Sequence, residues 1–460
     1  MVKTLFNDDD YVIVDYPSTS STPHPASKTN TISTSTKTDY LDSISSIIDS
    51  LSPVLRPLNL SIHDHPELGY KEHHAHKVLT EFLINRPGWV VTSHAYNIET
   101  AFVAVYATQR EGSVVSFNVE YDALPGIGHA CGHNLIAMAS LSAALATQAM
   151  MEKEKLGGKV VVFGTPAEEG GGGKTKLLKA GAYAYEKVDI NLISHPGITQ
   201  DGALMRTAAY TSFFVEYFGK EAHAAAAPWE GINALDALMT AYTALSVLRQ
   251  QTQPGDIIQG NITHGGVKPN IIHAYAAGQF VVRSTTAARR DALKLRVDKC
   301  FQAGSLATGA RLKVTPTGSY DDLMPNWALG ARYREHFNAL GGKIEFAELD
   351  YEHGATQASS DQGDISHAMP TISPAFWIRS EGPDGEQLGG PHTPDFAAAA
   401  RRKEAHDKAM MVGKALAGTA VDILSVEGLL EEVKKEYEET KRKSDGMCVD
   451  DDDVLRSTYV

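Results

Sequence analysis

The sequence predicts an α/β protein whose main domain, built on a mostly parallel sheet, is interrupted by an inserted ferredoxin-like α+β domain. Short buried strands at 114–119, 160–164 and 190–194 alternate with helical segments. Such alternation is typical of a parallel sheet covered by helices. Between 207 and 317 the order of predicted elements changes to β-α-β-β-α-β, which is the order of a ferredoxin-like fold.

The main domain is predicted to begin with a helix, because apolar residues recur at helical spacing from Tyr40 onward. A helical run rich in Ala and Leu follows the first strand at 135–151, and another at 174–182 lies between the next two strands. After the insert the α/β pattern resumes and ends in a long helix over 395–424. Charged residues at helical spacing then occupy 429–443.

The insert contributes its own strands and helices. Its predicted strands lie at 210–218, 257–264, 273–283 and 312–317, and its predicted helices at 232–251 and 287–304. The whole chain then divides into a disordered Ser/Thr-rich leader at 1–39, a first part of the main domain at 40–206, the insert at 207–317, a second part of the main domain at 318–425 and a charged tail at 426–460. The leader is predicted because Ser, Thr and Pro dominate it without apolar periodicity.

Composition argues against several classes of protein. At 460 residues the chain is longer than one hydrophobic core usually supports, so we expect two domains. A net charge of −14 argues against nucleic acid as a partner. No apolar run approaches the roughly 20 residues of a membrane-spanning helix, and the acidic start lacks an apolar signal segment. Three widely separated cysteines favour a reducing cytosol, so we expect a cytoplasmic protein without a membrane partner.

The segment His-Ala-Cys-Gly-His at 129–133 places a thiol and two imidazoles within five residues, between a predicted strand and a helix. Cys131 and His133 could be metal ligands. Alternatively, Cys131 could be a nucleophile with His129 or His133 as its base. In a purely structural role, Cys131 would be a small buried residue. The motif alone leaves all three interpretations open.

Two carboxylates and two further histidines extend this group. Glu168 and Glu169 come directly after the second buried strand, and His195 follows the third. Open α/β sheets place their ligands at the carboxyl ends of their strands. Two adjacent glutamates divide naturally into one metal ligand and one free base. His392 lies just before the last long helix of the main domain.

Taken together, these residues predict a metal centre. The candidate ligands are Cys131, His133, Glu169, His195 and His392. Thiolate and imidazole ligands with few carboxylates suit Zn²⁺, or Mn²⁺ or Co²⁺, rather than Mg²⁺ or Ca²⁺. Five ligands suggest two divalent ions about 3.5–4 Å apart that share a bridging group. Glu168 is then left as the general base that takes a proton from water and later donates it to the leaving amine.

Several motifs recur in order over residues 40–425. They are His63-Asp-His-Pro-Glu-Leu-Gly-Tyr-Lys-Glu72, Glu120-Tyr-Asp-Ala-Leu-Pro125, His129-Ala-Cys-Gly-His133, Pro166-Ala-Glu-Glu169, Gly219-Lys-Glu-Ala-His-Ala-Ala225, Gly231-Ile-Asn-Ala-Leu-Asp-Ala237 and Gly265-Gly-Val-Lys-Pro-Asn270. In this order the chain resembles the aminoacylase/carboxypeptidase-type di-metal peptidase family. Within it, the chain is most similar to the amidohydrolase branch that contains auxin-conjugate hydrolases, and there to the Xaa-Arg dipeptidase group.

The resemblance implies a di-metal catalytic domain and an inserted lid domain through which such proteins usually form homodimers. It carries the metal ligands and the base Glu168 over to the residues named above. It also implies that His223 of the lid reaches an active site, often that of the partner subunit, and polarises the scissile carbonyl. Asn270 and Arg283 match lid positions that grip a substrate carboxylate, for which an Arg fork is well suited.

Two positions depart from the pattern of many relatives. Asn134 stands where they carry Asp after the Cys-Gly-His triplet. A neutral amide there can still orient a ligand, but it makes the surroundings of the metals less anionic. The segment Ser359-Ser-Asp361 replaces a Gly-[Ser/Thr]-Glu-Asp-Phe stretch. We expect Asp361 to shape the site without being a ligand.

The leading hypothesis is hydrolysis of the amide bond in a dipeptide or N-acyl amino acid with a free carboxylate. Water is the nucleophile, and the metals and His223 stabilise the oxyanion. The alternatives are an amidase in which Cys131 is the nucleophile, and a non-catalytic, peptide-binding regulator. The lid and the loop around Trp229 are expected to help select the substrate side chain.

Overall fold

The computed structural model of the protein describes residues 37–382 and 384–456. The predicted Ser/Thr-rich leader at 1–39 therefore lies outside the described residues, except for its last three, with which the first helix begins.

Helices and strands alternate along most of the chain. The helices, in chain order, are α1 Lys37–Asp64, α2 His73–Ile84, α3 His133–Lys153, α4 Gly173–Lys179, α5 Ala182–Glu186, α6 Ala234–Leu248, α7 Ala287–Thr308, α8 Trp327–Ala339, α9 Ala347–His353, α10 Gln362–Ser366, α11 Pro394–Ala400, α12 Lys403–Ser425 and α13 Leu429–Arg456. The strands are β1 Trp89–Ser93, β2 Phe102–Ala107, β3 Val114–Val119, β4 Lys159–Gly164, β5 Ile190–Leu192, β6 His195–Gly197, β7 Ala209–Phe218, β8 Ala222–His223, β9 Ile257–His264, β10 Ile271–Ile272, β11 Tyr275–Ser284, β12 Arg311–Tyr320, β13 Thr371–Ile372 and β14 Ala375–Trp377.

The main domain is built on a six-stranded sheet with the order β1-β2-β4-β3-β5-β13. Strands β4, β3, β5 and β13 run parallel to one another, whereas β1 and β2 form an antiparallel edge. All six residues of β3 are buried, as expected for a strand covered on both faces. The predicted α/β class with a mostly parallel sheet is therefore confirmed.

Helix α3 lies at the centre of the main core, where it packs against α12 and β3. Its residues are buried around most of its circumference, so its sequence is apolar without a polar face. By length and composition α3 could cross a membrane, yet 89% of its apolar window is buried inside the protein. The apolar surface of α3 is therefore buried against other parts of the protein.

Two predicted helices are each interrupted by a turn. The helix expected at 174–182 is divided into α4 and α5, because the backbone is left-handed at residue 181. The helix expected at 395–424 is divided into α11 and α12, because Arg402 is extended. Thr393 caps α11 by accepting a hydrogen bond from the Phe396 amide, 3.3 Å away.

The insert forms a four-stranded antiparallel sheet with the order β12-β7-β11-β9. Helices α6 and α7 pack together against this sheet. Aromatic rings from both layers, those of Phe213, Phe280 and Phe301, form the centre of a core separate from that of the main sheet. The predicted ferredoxin-like α+β insert is therefore confirmed, while the domain boundaries at 207 and 317 stay a prediction.

The charged segment after α12 forms helix α13, whose first part packs against the start of α8. The Glu436 carboxylate of α13 accepts hydrogen bonds from the Trp327 and Ala328 amides, both at 2.9 Å, and so caps the start of α8. Val433 is fully buried on the same side of α13. The helix predicted to end at 443 continues to Arg456.

A buried histidine links α12 to α1. His406 is 1% exposed, and its two ring nitrogens lie 3.2 Å from Ser52 Oγ and 3.1 Å from Asn59 Nδ2. Because Asn59 Nδ2 is a donor, the facing His406 nitrogen must be unprotonated. Burial, aided by the Arg56 charge, lowers the pKa of His406 from 6.5 to about 4.

This lowered pKa predicts a loss of stability in acid. The folded state binds fewer protons than the unfolded state between pH 6.5 and 4. Stability is therefore fully present above pH 6.5 and falls as the pH drops toward 4. We expect the wild-type protein to lose roughly 2–3 kcal/mol more than His406→Gln over this window. Urea unfolding of chelator-treated protein at pH 7 and pH 4.5 measures the difference.

Two comparisons check this assignment. The variant His73→Gln, which changes an exposed histidine on α2, should keep the wild-type pH dependence. Equal acid sensitivity of His406→Gln and the wild-type protein would contradict the assignment.

Candidate active site

A cavity of about 660 Å³ lies beyond the carboxyl ends of the central parallel strands, beside the insert. Strand β3 ends before Glu120, β4 ends before Thr165, and β5 ends shortly before His195. The turns that follow these strands therefore meet at one edge of the sheet. Of the residues predicted for the site, the cavity is lined by Cys131, Glu168, Glu169, His195, Arg283 and His392.

Cys131, His133 and His195 form the first cluster of potential ligands. One ligand atom from each lies within 4.8 Å of the others, and the Cys131 Sγ atom is 3.4 Å from His195 Nε2. Gly132 makes this approach possible, because it has a φ of 78° and a Cβ there would lie 2.6 Å from Pro196 Cγ. The Cys-Gly-His turn thus requires glycine for both its conformation and its close packing.

Asp122 sets the orientation of His133. The Nδ1 atom of His133 donates a hydrogen bond to Asp122 Oδ1 at 2.9 Å. His133 Nε2 is buried and has no hydrogen-bond partner among the described residues. A carboxylate behind an imidazole fixes its tautomer and leaves the other nitrogen free for a metal. Asp122 was not among the predicted site residues, although its position just beyond the end of a buried strand is typical of one.

Glu169 and His392 form a second cluster with the same cysteine. Ligand atoms of Cys131, Glu169 and His392 all lie within 4.8 Å of one another, and Glu169 Oε1 is 3.2 Å from His392 Nε2. His392 has a φ of 69°, which is strained for a residue with a side chain. Its backbone amide donates to the Ala130 carbonyl at 2.8 Å. The strained turn is thereby tied to the Cys-Gly-His segment.

Hydrogen bonds to residues of other segments hold the loop that carries Glu168 and Glu169. The Ala167 amide donates to Glu72 Oε1 at 2.8 Å, and the Glu169 amide donates to Asp122 Oδ2 at 3.0 Å. The hydroxyl of Tyr320, the last residue of β12, donates to the Glu168 carbonyl at 3.1 Å. The two carboxylates therefore project from a fixed backbone, close to His133.

The surroundings shift the pKa values of Glu168 and Glu169 in opposite directions. Burial, together with the nearby Glu120 carboxylate, raises the pKa of Glu168 well above its usual value. Burial acts in the same direction on Glu169, but the neighbouring His392 and His133 rings outweigh it and lower the pKa of Glu169. The pKa values of the two carboxyls are thus shifted in opposite directions. This is the division expected of a base and a ligand.

The environment of Cys131 does not favour a nucleophile. Burial raises the pKa of the thiol far above its usual value, although the nearby His133 ring opposes the shift. Reactive cysteines instead have lowered pKa values in electropositive, partly exposed sites. His129, one of the two bases considered for Cys131, is itself buried, and burial lowers its pKa to about 3.

His223 and Asn270 lie together on the insert but not in the cavity. Strands β8 and β10 pair there, and the Ala224 amide donates to the Asn270 carbonyl at 3.1 Å. His223 Nδ1 accepts hydrogen bonds from the Ala225 and Ala226 amides at 3.2 and 3.1 Å, which leaves the proton on Nε2. Both residues are exposed and do not line the cavity. Within one subunit, His223 and Asn270 therefore do not belong to the same site as the Cys131 clusters.

Arg283, in contrast, reaches the cavity within its own chain. Its Nη1 atom donates to Ser359 Oγ at 2.8 Å, and its guanidinium lies 5.2 Å from the centre of the Tyr210 ring. Burial lowers the pKa of Arg283, but guanidinium groups remain charged in proteins. A fixed cation thus lies on the insert side of the cavity.

Other residues singled out in the sequence have different surroundings. The Asn134 amide donates to Asn59 Oδ1 at 2.8 Å and to the Ala400 carbonyl at 3.1 Å. It therefore ties α3 to α1 and α11, and neither of these hydrogen bonds goes to a candidate ligand. Trp229 is 78% exposed and does not line the cavity. Asp361 is fully buried beside the site and belongs to neither ligand cluster.

The donor set fits transition-metal ions. Sulfur, imidazole nitrogen and carboxylate oxygen are the ligands that Zn²⁺ and its neighbours prefer. The unpartnered Nε2 of His133 is a buried polar atom that costs free energy unless it binds something. Two clusters that share Cys131 offer two adjacent positions for such ions.

Comparison with known proteins shows related chains. Residues 112–419 match Peptidase family M20/M25/M40. The chain is 39% identical over 401 residues to the Xaa-Arg dipeptidase of Mus musculus, which covers 85% of this chain and 90% of that protein. It is 27% identical over 449 residues to one of the subunits of p-aminobenzoyl-glutamate hydrolase from Escherichia coli (strain K12), which covers 82% of this chain and 90% of that protein.

A solved structure shares the fold. It is a Bacillus subtilis protein described as a dinuclear metal binding peptidase from the M20 family. The two structures match with a TM-score of 0.62 at 18% identity, over 82% of this chain and 99% of that one. At this identity the likeness concerns the fold alone.

The role of Asp122 predicts that Asp122→Asn weakens metal binding. An Asn amide can donate to His133 Nδ1, which would place the ring proton on the nitrogen that faces the cavity. Loss of such a supporting carboxylate weakens metal affinity by about 10–100-fold. Calorimetric titration of metal-free protein with Zn²⁺ measures the change. The variant Asp236→Asn, on the exposed face of α6, should bind like the wild-type protein, and an unchanged affinity of Asp122→Asn would contradict the assigned role.

Proposed function

Because the chain belongs to Peptidase family M20/M25/M40, we propose that it is a metal-dependent hydrolase of the amide bond in a dipeptide or N-acyl amino acid with a free carboxylate. The observation that carries the proposal is that two ligand clusters sharing Cys131 lie beside the Glu168 carboxyl at one cavity. A ligand set with an adjacent proton acceptor is what amide hydrolysis by water requires.

The ligand clusters would hold two divalent transition-metal ions, for which Zn²⁺ is our first choice and Mn²⁺ or Co²⁺ the alternatives. Cys131, His133 and His195 would hold one, and Cys131, Glu169 and His392 the other. When bound, such ions polarise a carbonyl and acidify water. The Bacillus subtilis relative is described as dinuclear, which supports a pair of ions.

Glu168 would move the proton. Its carboxylate lies at the cavity, so it can accept a proton from water as the water attacks the amide carbon. Its raised pKa favours keeping that proton until the leaving amine needs it. The hydrogen bonds around Ala167 and Glu169 keep the carboxylate in place during both transfers.

The substrate carboxylate would be held by the insert. Arg283 lines the cavity and offers a planar fork for two carboxylate oxygens. His223 and Asn270 would come from the insert of a second subunit, since in their own chain they do not line the cavity. His223 carries its proton on Nε2, as a group that donates to a developing oxyanion must. The proposal therefore includes a homodimer formed through the insert.

Substrate and location follow from the relatives and the cysteines. The mouse relative is an Xaa-Arg dipeptidase, so dipeptides that end in Arg are the first candidates. We propose a cytoplasmic location, because a reducing compartment keeps Cys131 available as a ligand. The Cys131 nucleophile would leave Glu169, His195 and His392 without a role, and a non-catalytic regulator would leave the candidate base Glu168 without one.

The proposal predicts that Glu168→Gln abolishes turnover but spares binding. An amide side chain cannot accept the proton, so kcat should fall by about 10²–10⁴-fold. The assay is a panel of Xaa-Arg dipeptides, other dipeptides and N-acyl amino acids with Zn-, Mn- and Co-loaded protein. The Glu168→Gln variant should have the metal content of the wild-type protein. Its affinity for dipeptides, measured by calorimetry, should also be that of the wild-type protein.

Two controls accompany this test. Glu427→Gln, an exposed change of the same kind, should leave kcat unchanged. Removal of metal by a chelator should abolish activity, whereas a Cys131 nucleophile would keep it. Failure of the metal-loaded wild-type protein to hydrolyse any member of the panel would refute the proposed function.

The role of His223 predicts complementation between subunits. Glu168→Gln and His223→Ala should each be inactive, but a co-expressed mixture should recover about a quarter of wild-type activity, because half of the random dimers then contain one intact site. A mixture of Glu168→Gln with Cys131→Ser serves as control and should stay inactive, since every site then carries a defect. An inactive first mixture would contradict the contribution in trans.

A further inference from the structure

Lys174 of α4 is a buried cation between two carboxylates. Its side chain is fully buried, and its Nζ atom lies 2.6 Å from Glu120 Oε1 and also donates to Asp361 Oδ1. Burial alone would lower the pKa of Lys174, but the Asp361 and Glu120 charges raise it well above the usual value. The side chain is therefore an ammonium ion without access to water.

Such a cluster is not explained by stability alone. Removing charges from water is costly, and replacement of a buried ion pair by apolar residues is often neutral or stabilising. One ammonium against two carboxylates also leaves a surplus of negative charge. The cluster lies directly beside the cavity, because Glu120 lines it. Its position therefore suggests a role in the site.

Glu120 lies between Lys174 and the candidate ligand His133. We call the contacts of Lys174 with Glu120 and Asp361 the clamp. Its Oε1 atom is held by Lys174, while its Oε2 atom lies 3.4 Å from His133 Nε2 and has no hydrogen-bond partner among the described residues. A carboxylate so close to a ligand atom would be free to turn toward a bound ion if nothing held it. The contact with Lys174 fixes it at the rim of the ligand cluster.

Lys174 also closes the loop that carries the two glutamates. Its backbone amide donates to Asp361 Oδ2 at 2.8 Å, so one carboxylate holds both ends of the residue. The preceding Gly173 lies against the start of the loop, since a Cβ there would be 1.8 Å from the Pro166 carbonyl oxygen. The position of Lys174 therefore determines where the loop of 166–173 ends.

Asp361 is in turn anchored to the main sheet. The adjacent Gln362 accepts a hydrogen bond from Asn118 Nδ2 and donates one to Asn191 Oδ1, both at 2.8 Å. These asparagines lie on β3 and β5. A continuous set of contacts thus runs from the sheet through Asp361 to Lys174 and the glutamate loop.

We propose that Lys174 is a positioning residue, which holds Glu120 away from the metal ions and fixes the loop that presents Glu168 and Glu169. The inference rests on the proposed function, because that function makes Glu168 the base and Glu169 a metal ligand. It adds a residue that touches neither substrate nor a ligand atom.

The test is Lys174→Met, which keeps most of the side-chain volume and removes the charge. With Co²⁺ bound, we expect an altered visible spectrum, because Glu120 becomes free to enter the coordination sphere. We expect kcat to fall by about 10–100-fold, as for other groups that support ligands, with KM changed much less. Hydrogen exchange measured by mass spectrometry should increase in the peptide that covers 166–173, with other peptides unchanged.

Matched variants separate positioning from folding. Lys179→Met, on the exposed side of the same helix, should behave as the wild-type protein. Adding Glu120→Gln to Lys174→Met should restore the cobalt spectrum, since an amide is a poorer ligand than a carboxylate. If Lys174→Met does not fold, Asp361→Asn tests the same clamp with almost no change in shape and should produce the same local exchange.

The outcomes are distinguishable. An unchanged cobalt spectrum and unchanged exchange in the folded variants would overturn the inference, as would exchange that increases evenly over the whole protein. Absence of hydrolysis by the metal-loaded wild-type protein would refute the proposed function instead, and the spectrum and exchange would still report on the clamp.

Discussion

The hydrogen bonds of one buried carboxylate connect the parts of the site. Asp122 accepts from His133 Nδ1 through one oxygen and from the Glu169 amide through the other. The first bond aims an imidazole nitrogen at the cavity, and the second fixes the backbone between the two glutamates. Asp122 lies three residues beyond the end of β3, a strand whose residues are all buried, so both bonds are made from the end of a fixed strand. The candidate ligands His133 and Glu169 and the candidate base Glu168 are thus positioned by one buried carboxylate.

The site concentrates negative charge in a region from which water is largely excluded. Glu120, Asp122, Glu168 and Asp361 are all buried, and Lys174 is the buried ammonium that faces two of them. Burial raises the pKa values of two of them, Glu168 and Asp361. Divalent cations would neutralise much of this charge. The same charge pattern therefore explains why the cluster favours metal binding and why Glu168 is prone to hold a proton in their absence.

The fold was largely predictable because its signals are local. Strands β3 and β9 have the predicted limits, since turn-forming and polar residues flank both strands. The interruption of the helix at residue 181 was missed, because a single left-handed residue leaves little trace in an apolar pattern. Within the site, residues adjacent to strand ends were recognisable. Lys174 was not, because its partner Asp361 is 187 positions away and only packing brings them together.

The two ligand clusters differ in their access to solvent. Cys131 and His133 are buried, whereas the His392 side chain is 54% exposed. An ion held partly by His392 would exchange with the medium faster than one held by His133 and His195. Purified protein would then pass through a half-loaded form as it loses or gains metal. Its metal content would depend on its handling, with the inner ion persisting through dialysis that removes the outer one.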